Sequence, residues 1–135
     1  MNFEDILDVG TILVVEDDAP AAKKMIATLD VLGHGDVLLA SDLKEADRMV
    51  AHHKIDLALL NVKLAKGGRT NELGRRLAAS GARVVFLSEF KCMDIAYATL
   101  GFEFIEKPIS LSRLKATLHR AVIRDPLRQE NASHI

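Results

Sequence analysis

The chain has 135 residues, 49% hydrophobic and 27% charged, a length and composition that fit one domain with a sizeable core. Lys and Arg (18) nearly balance Asp and Glu (19), so the net charge of −1 gives no electrostatic reason to expect nucleic acid as a partner. Cys92 is the single cysteine, which excludes an internal disulfide; no run reaches the length of a membrane span, and Met1-Asn2-Phe3-Glu4-Asp5 lacks the basic start and apolar core of a signal peptide, so a cytoplasmic location without membrane contact is expected. Residues 1–10 read as a lead-in, with Phe3, Ile6 and Leu7 at helical spacing. Thr11–Val15 is the first strand candidate. Asp18 then caps a helix with Pro20 in its first turn, where a missing N–H costs little. Ala22, Met25, Ile26, Leu29 and Leu32 follow helical spacing, and Gly33 is the expected stop. Val37–Ala40 is the second strand, followed by a helix from Ser41-Asp42 with Leu43, Ala46 and Val50 inward. Asp56–Leu60 is the third strand, and its near-continuous apolar run predicts burial on both faces. A helix over about Asn71–Ser80 follows, with Leu73 and Leu77 inward and Gly81 as its stop. Arg83–Leu87 is the fourth strand; a weaker fourth helix follows it, with Met93, Ala96, Tyr97 and Leu100. Glu103–Glu106 is the fifth strand. The fifth helix begins after Ser110 and is expected to bury Leu111, Leu114, Leu118 and Val122. The polar stretch 125–135 reads as a mobile tail.

Five βα units in this rhythm predict an α/β, flavodoxin-like, doubly wound fold with a parallel five-stranded sheet in the order 2-1-3-4-5. The domain proper is expected to span residues 11–124, with no room for a second one. In such a sheet the carboxyl ends of strands 1, 3, 4 and 5 lie side by side, at the edge where open α/β sheets place ligands. That edge gathers Glu16 and Asp17, Asn61, Ser88, and Lys107-Pro108. An acidic cleft of this kind suggests a site for a divalent cation and a phosphoryl group, yet the central position, Asn61, is an amide.

Four segments carry a resemblance to a known family: Ile12–Asp18, Asp56–Asn61, Val84–Ser88 and Phe104–Pro108. In order and spacing they resemble the receiver domain of bacterial two-component response regulators, the CheY-like family, over about residues 11–123. The resemblance implies that an aspartate ending strand 3 accepts a phosphoryl group from a sensor kinase. It implies that two acidic residues, the acceptor carboxylate and a backbone carbonyl hold magnesium, which takes hard oxygen ligands and neutralises the transferring phosphoryl. Carried onto this chain, Glu16 and Asp17 match the acidic pair and Lys63 supplies the carbonyl. Ser88 and Lys107 match the phosphoryl contacts, and Phe104 matches the aromatic switch position. The acceptor position falls on Asn61, whose amide cannot act as the carboxylate nucleophile. Any magnesium held there is expected to be held weakly, and no other cofactor is implied. The loop after Asn61 also departs from the family, with Lys63, Ala65 and Lys66 and no proline after the acceptor position.

Plainer roles exist for each residue. Glu16-Asp17-Asp18 can serve as an acidic cap on the first helix, Ser88 can cap the next one, Phe104 can be ordinary core, and Lys107 can pair with Asp17. The histidines show no metal-ligand spacing. A flavodoxin-like nucleotide binder would need a Gly-rich loop after strand 1, and Glu16-Asp17-Asp18-Ala19-Pro20 is its opposite in charge. The expected function is thus that of a non-enzymatic, stand-alone pseudo-receiver in phosphorelay signalling, acting through contacts with a sensor kinase or a downstream effector. In the family, the usual contact surface is the face of the fourth helix, fifth strand and fifth helix; here it would include Met93, Tyr97, Phe104 and Arg113, and it would also serve a homodimer. The alternatives are a relay through residual magnesium and phosphoryl binding, or an Asp-to-Asn variant of a conventional receiver; the latter leaves Lys63 and Ala65 unexplained.

Overall fold

Strictly alternating side chains sort the first strand between two cores. Ile12 and Val14 enter one hydrophobic cluster and Leu13 and Val15 the other, as the two-residue repeat of a strand requires. The computed structural model describes residues 10–32, 36–66, 68–89 and 102–123. Its strands are β1 (Thr11–Val15), β2 (Asp36–Ala40), β3 (Leu57–Asn61), β4 (Arg83–Ser88) and β5 (Glu103–Glu106). Its helices are α1 (Ala19–Val31), α2 (Leu43–His52), α3 (Asn71–Ala79) and α4 (Leu111–Ile123). All strand pairings are parallel, and the order is β2-β1-β3-β4-β5, as the βα rhythm predicts. The lead-in over residues 1–9, the stop at Gly33, the fourth predicted helix with Met93 and Tyr97, the side chain of Val122, and the tail lie outside the described residues.

Helix starts follow the capping residues. The Asp18 carboxylate accepts from the Ala21 N–H at 3.0 Å, and the Asp42 carboxylate accepts from the Glu45 N–H at 2.7 Å. Helices α1 and α4 cover one sheet face through Met25, Leu29, Leu114 and Leu118; α2 and α3 cover the other through Ala46, Leu73 and Leu77. In α3, Gly74 lets the ring of Phe86 lie against the helix: a Cβ there would stand 2.4 Å from Phe86 Cζ. Phe86 in turn stacks on Phe104 at 5.2 Å between centroids and meets Phe102 at 5.5 Å.

Strand ends differ from the periodicity by one residue where the ladder supplies another hydrogen bond. Strand β2 begins at Asp36, whose N–H donates to the Gly10 carbonyl. Strand β3 includes Asn61, in register with Leu87, and β4 runs to Ser88, in register with Glu106. At the start of β3, the Asp56 carboxylate turns aside to accept the Thr11 N–H at 2.9 Å. One core assignment is corrected: Leu111 is 49% exposed. It occupies the first turn of α4, where it borders an open cleft rather than packed core.

Candidate functional site

Parallel register places the ends of β1, β3, β4 and β5 at one edge, and the residues just there are the polar ones. Glu16 follows β1, Asn61 and Ser88 end β3 and β4, and Lys107 follows β5. Glu16, Asn61 and Ser88 are all buried, at 6%, 8% and 2% exposure, so their polar groups need partners. Asn61 Nδ2 donates to Glu16 Oε2 at 2.9 Å and to the Lys63 carbonyl oxygen at 3.2 Å. Lys107 Nζ pairs with Glu16 Oε1 at 3.2 Å. Both oxygens of the buried Glu16 carboxylate thus face hydrogen-bond donors.

The loop after β3 is built to hold this arrangement. A bridge between Lys63 and Arg69, with Leu64 N–H to Gly68 O and Thr70 N–H to Val62 O, sets residues 62–64 against residues 68–70. Gly68 adopts φ +98° at the turn, a conformation that disfavours other residues. The buried Thr70 hydroxyl donates to the Asn61 carbonyl at 2.9 Å. Asp17 faces this loop and accepts the Ala65 N–H. Ser88 Oγ donates to the Glu89 carbonyl at 2.8 Å. Asn61, Lys63, Ser88, Glu89 and Lys107 line a small cavity of about 150 Å³.

The structure therefore brings Glu16, Asn61, Lys63, Ser88 and Lys107 together, with Asp17 adjoining through the loop. Phe104 sits behind them, half-buried against Phe86. The expected pairing of Lys107 with Asp17 is corrected to Glu16. Glu16 directly follows β1 and is buried toward the neighbouring strand ends, whereas the half-buried Asp17 carboxylate is taken by the Ala65 amide. Thr70 was missed. A threonine before a helix is an ordinary N-cap signal, but here its hydroxyl makes no cap and reaches the Asn61 carbonyl instead. The paired Thr11 and Asp56 were also unforeseen, since Asp56 reads only as a polar strand start.

The resemblance implies magnesium here, and magnesium needs oxygen ligands free to face it. Glu16 Oε2 and the Lys63 carbonyl face the Asn61 nitrogen, Glu16 Oε1 faces Lys107, and Asp17 faces Ala65. As arranged, the donor set does not fit the ion: an N–H donor faces the two oxygens that would share it. Among the described residues, no cluster of His, Cys, Asp and Glu is arranged for a metal, and no helix is long and apolar enough to cross a membrane.

Known proteins agree on the family. Residues 12–119 match the response regulator receiver domain. The transcriptional regulatory protein DpiA of Escherichia coli K12 is 32% identical over 115 residues, 82% of this chain and 51% of DpiA. The chain thus spans about half the length of the curated relatives it matches. A receiver domain protein from Clostridium thermocellum shares the fold with a TM-score of 0.74 at 23% identity, over 87% of this chain and 98% of that one. SdrG from Sphingomonas melonis Fr1 does so with a TM-score of 0.73 at 24% identity, over 86% and 97%. With the sheet order, the four segments at its carboxyl edge and a family match over most of its length, this chain belongs to the response regulator receiver domains of two-component signalling.

Proposed function

We propose that this receiver works without phosphorylation at position 61, through contacts with other signalling proteins, either a sensor kinase or a downstream effector. The observation that carries the reading is the Asn61 side-chain nitrogen, which donates to both Glu16 Oε2 and the Lys63 carbonyl. An amide is no nucleophile for phosphoryl transfer, because its nitrogen lone pair is delocalised into the carbonyl. Asn61 also lacks the anionic oxygen that would help draw a magnesium ion to the pocket, so binding there is weak. Glu16, Asp17, Asn61 through its side-chain oxygen, and the Lys63 carbonyl are the groups that would have to turn toward it. Phe104 and the exposed Arg113 contribute to the partner face, which also serves a homodimer.

A second reading keeps a role for phosphoryl binding. Ser88 and Lys107 still line a cavity together with Asn61, so a phosphoryl-like anion has two polar groups to meet. The two readings part in one experiment. The protein is incubated with acetyl phosphate and magnesium, and separately with beryllofluoride and magnesium, then examined by intact mass and amide NMR. The proposed function expects no mass gain and no shift at β3, β4 or the loop after β3. A phosphoryl adduct at Asn61, or stoichiometric beryllofluoride binding beside it, would overturn the proposal in favour of the second reading.

A further inference from the structure

A second cavity adjoins the Asn61 pocket, sharing Leu87 and Lys107 with it. It has a volume of about 410 Å³ and runs between α1 and the β5–α4 connection. That size falls within the range of small-molecule sites, roughly 300–1,000 Å³. Its floor is apolar and already buried: Leu87 and Leu114 are 2% and 0% exposed, and Met25 is 6% exposed. At its mouth stands Leu111, one of two large hydrophobic residues that are strongly exposed among the described residues. The charged rim is asymmetric. Lys24 and Lys107 line the cleft against one carboxylate, Glu16. Glu16 is matched by Lys107 and Asn61, whereas Lys24 forms no ion pair among the described residues. The cleft is thus an apolar slot edged by a lysine that has no ion-pair partner among the described residues.

We infer that this cleft binds a small amphipathic anion, an apolar alkyl or aryl body carrying a single carboxylate. The body lies over Met25, Leu87 and Leu114 and covers Leu111, and the carboxylate meets Lys24. Charge selects an anion over a neutral or cationic molecule of equal size. Shape selects a compact body over an extended surface, because the floor is a recess between two helices. The inference does not rest on the fate of Asn61, since Lys24, Met25, Leu111 and Leu114 lie outside the lining of the Asn61 cavity. Leu87 and Lys107 line both places, and Lys107 also pairs with Glu16 at the cleft's edge. A ligand that shifts Lys107 therefore changes the partners of Glu16, and the Asn61 side-chain amide feels the change.

The test is an amide NMR titration of the full chain with octanoate, with octanol as the neutral control of equal length. Octanoate is expected to shift residues of α1, the β5–α4 connection and the first turn of α4 in a saturable way, together with the side-chain NH₂ pair of Asn61. Octanol is expected to bind more weakly. Lys24→Gln and Leu111→Glu, both at exposed positions, are each expected to weaken octanoate by about tenfold, the scale of one charge-assisted contact. Equal binding of octanol and octanoate, shifts scattered over the surface, or an unchanged affinity in Lys24→Gln would overturn the inference. Absence of any octanoate binding would do the same, and would leave the cleft as a surface for a polypeptide partner.

Discussion

At Asn61 a nitrogen stands 2.9 Å from Glu16 Oε2, where an aspartate would place a second carboxylate oxygen. The same geometry that makes the amide attractive would make the acid repulsive, because two buried like charges in contact disfavour each other's ionisation. Asn61→Asp is therefore expected to lower stability in metal-free buffer, by about 1–3 kcal/mol, the cost of a buried polar group left without its partner. Millimolar magnesium should restore much of that loss by linkage, since only the folded variant gathers the oxygens. Urea unfolding of both proteins with and without magnesium checks this. A midpoint for Asn61→Asp that ignores magnesium would show that the pocket cannot hold the ion even with the acid present. Slow labelling of the same variant by acetyl phosphate is also expected, because Ser88 and Lys107 already line the cavity. Its rate should stay below that of a receiver with the usual loop, as Lys63 lines the cavity beside the acceptor and in-line placement governs the transfer. Thr70→Val probes the support beneath the site. It keeps the side-chain shape but removes the hydrogen bond to the Asn61 carbonyl, and should cost about 1 kcal/mol in urea unfolding.

Among the elements, α3 shows how packing reverses a propensity rule. A glycine inside a helix normally loses about 1 kcal/mol relative to alanine, so Gly74→Ala would stabilise an isolated helix. Here the added methyl would meet Phe86 Cζ at 2.4 Å and Cε1 at 2.9 Å, and Phe86 is pinned between α3 and the rings of Phe102 and Phe104. Overpacking of this kind costs about 1–3 kcal/mol. The expected outcome is a net loss of stability, read as a lower urea midpoint; a higher midpoint would mean that the Phe86 ring moves aside without cost. Helix α2 obeys the simpler rule. Asp42→Ala removes the carboxylate that accepts the Glu45 N–H at an exposed cap, and should cost about 1 kcal/mol.

Across the described residues, burial is graded from the middle of the sheet outward. Strand β3 is buried along its full length, and β1 and β4 along all but their first residues. The edge strands β2 and β5 are mostly half-buried. Local opening needs less free energy where fewer apolar contacts are broken. Hydrogen exchange is therefore expected to be slowest in β1 and β3, and faster in β2 and β5. Exchange in β2 as slow as in β3 would indicate that another element or a partner covers that edge.

The order and kind of the elements were legible in the chain because they rest on local rules. Helical spacing of apolar residues places Leu73 and Leu77 inward, a near-continuous apolar run marks the buried third strand, and Asp18 and Asp42 announce the helix starts. That Glu16, Asn61, Ser88 and Lys107 would meet at one edge was legible too, since a doubly wound parallel sheet gathers its strand ends there. Which of those residues touch was decided by tertiary structure alone. Periodicity cannot tell that Lys107 reaches Glu16 rather than Asp17, that Thr70 gives its hydroxyl to Asn61 rather than to its own helix, or that Leu111 borders a cleft. Each outcome depends on distances between separate segments of the chain, such as Glu16 and Lys107 at a sequence separation of 91. The amide at Asn61 was visible as a letter; its placement between Glu16 and the Lys63 carbonyl exists only once β1, β3 and the loop have closed around it.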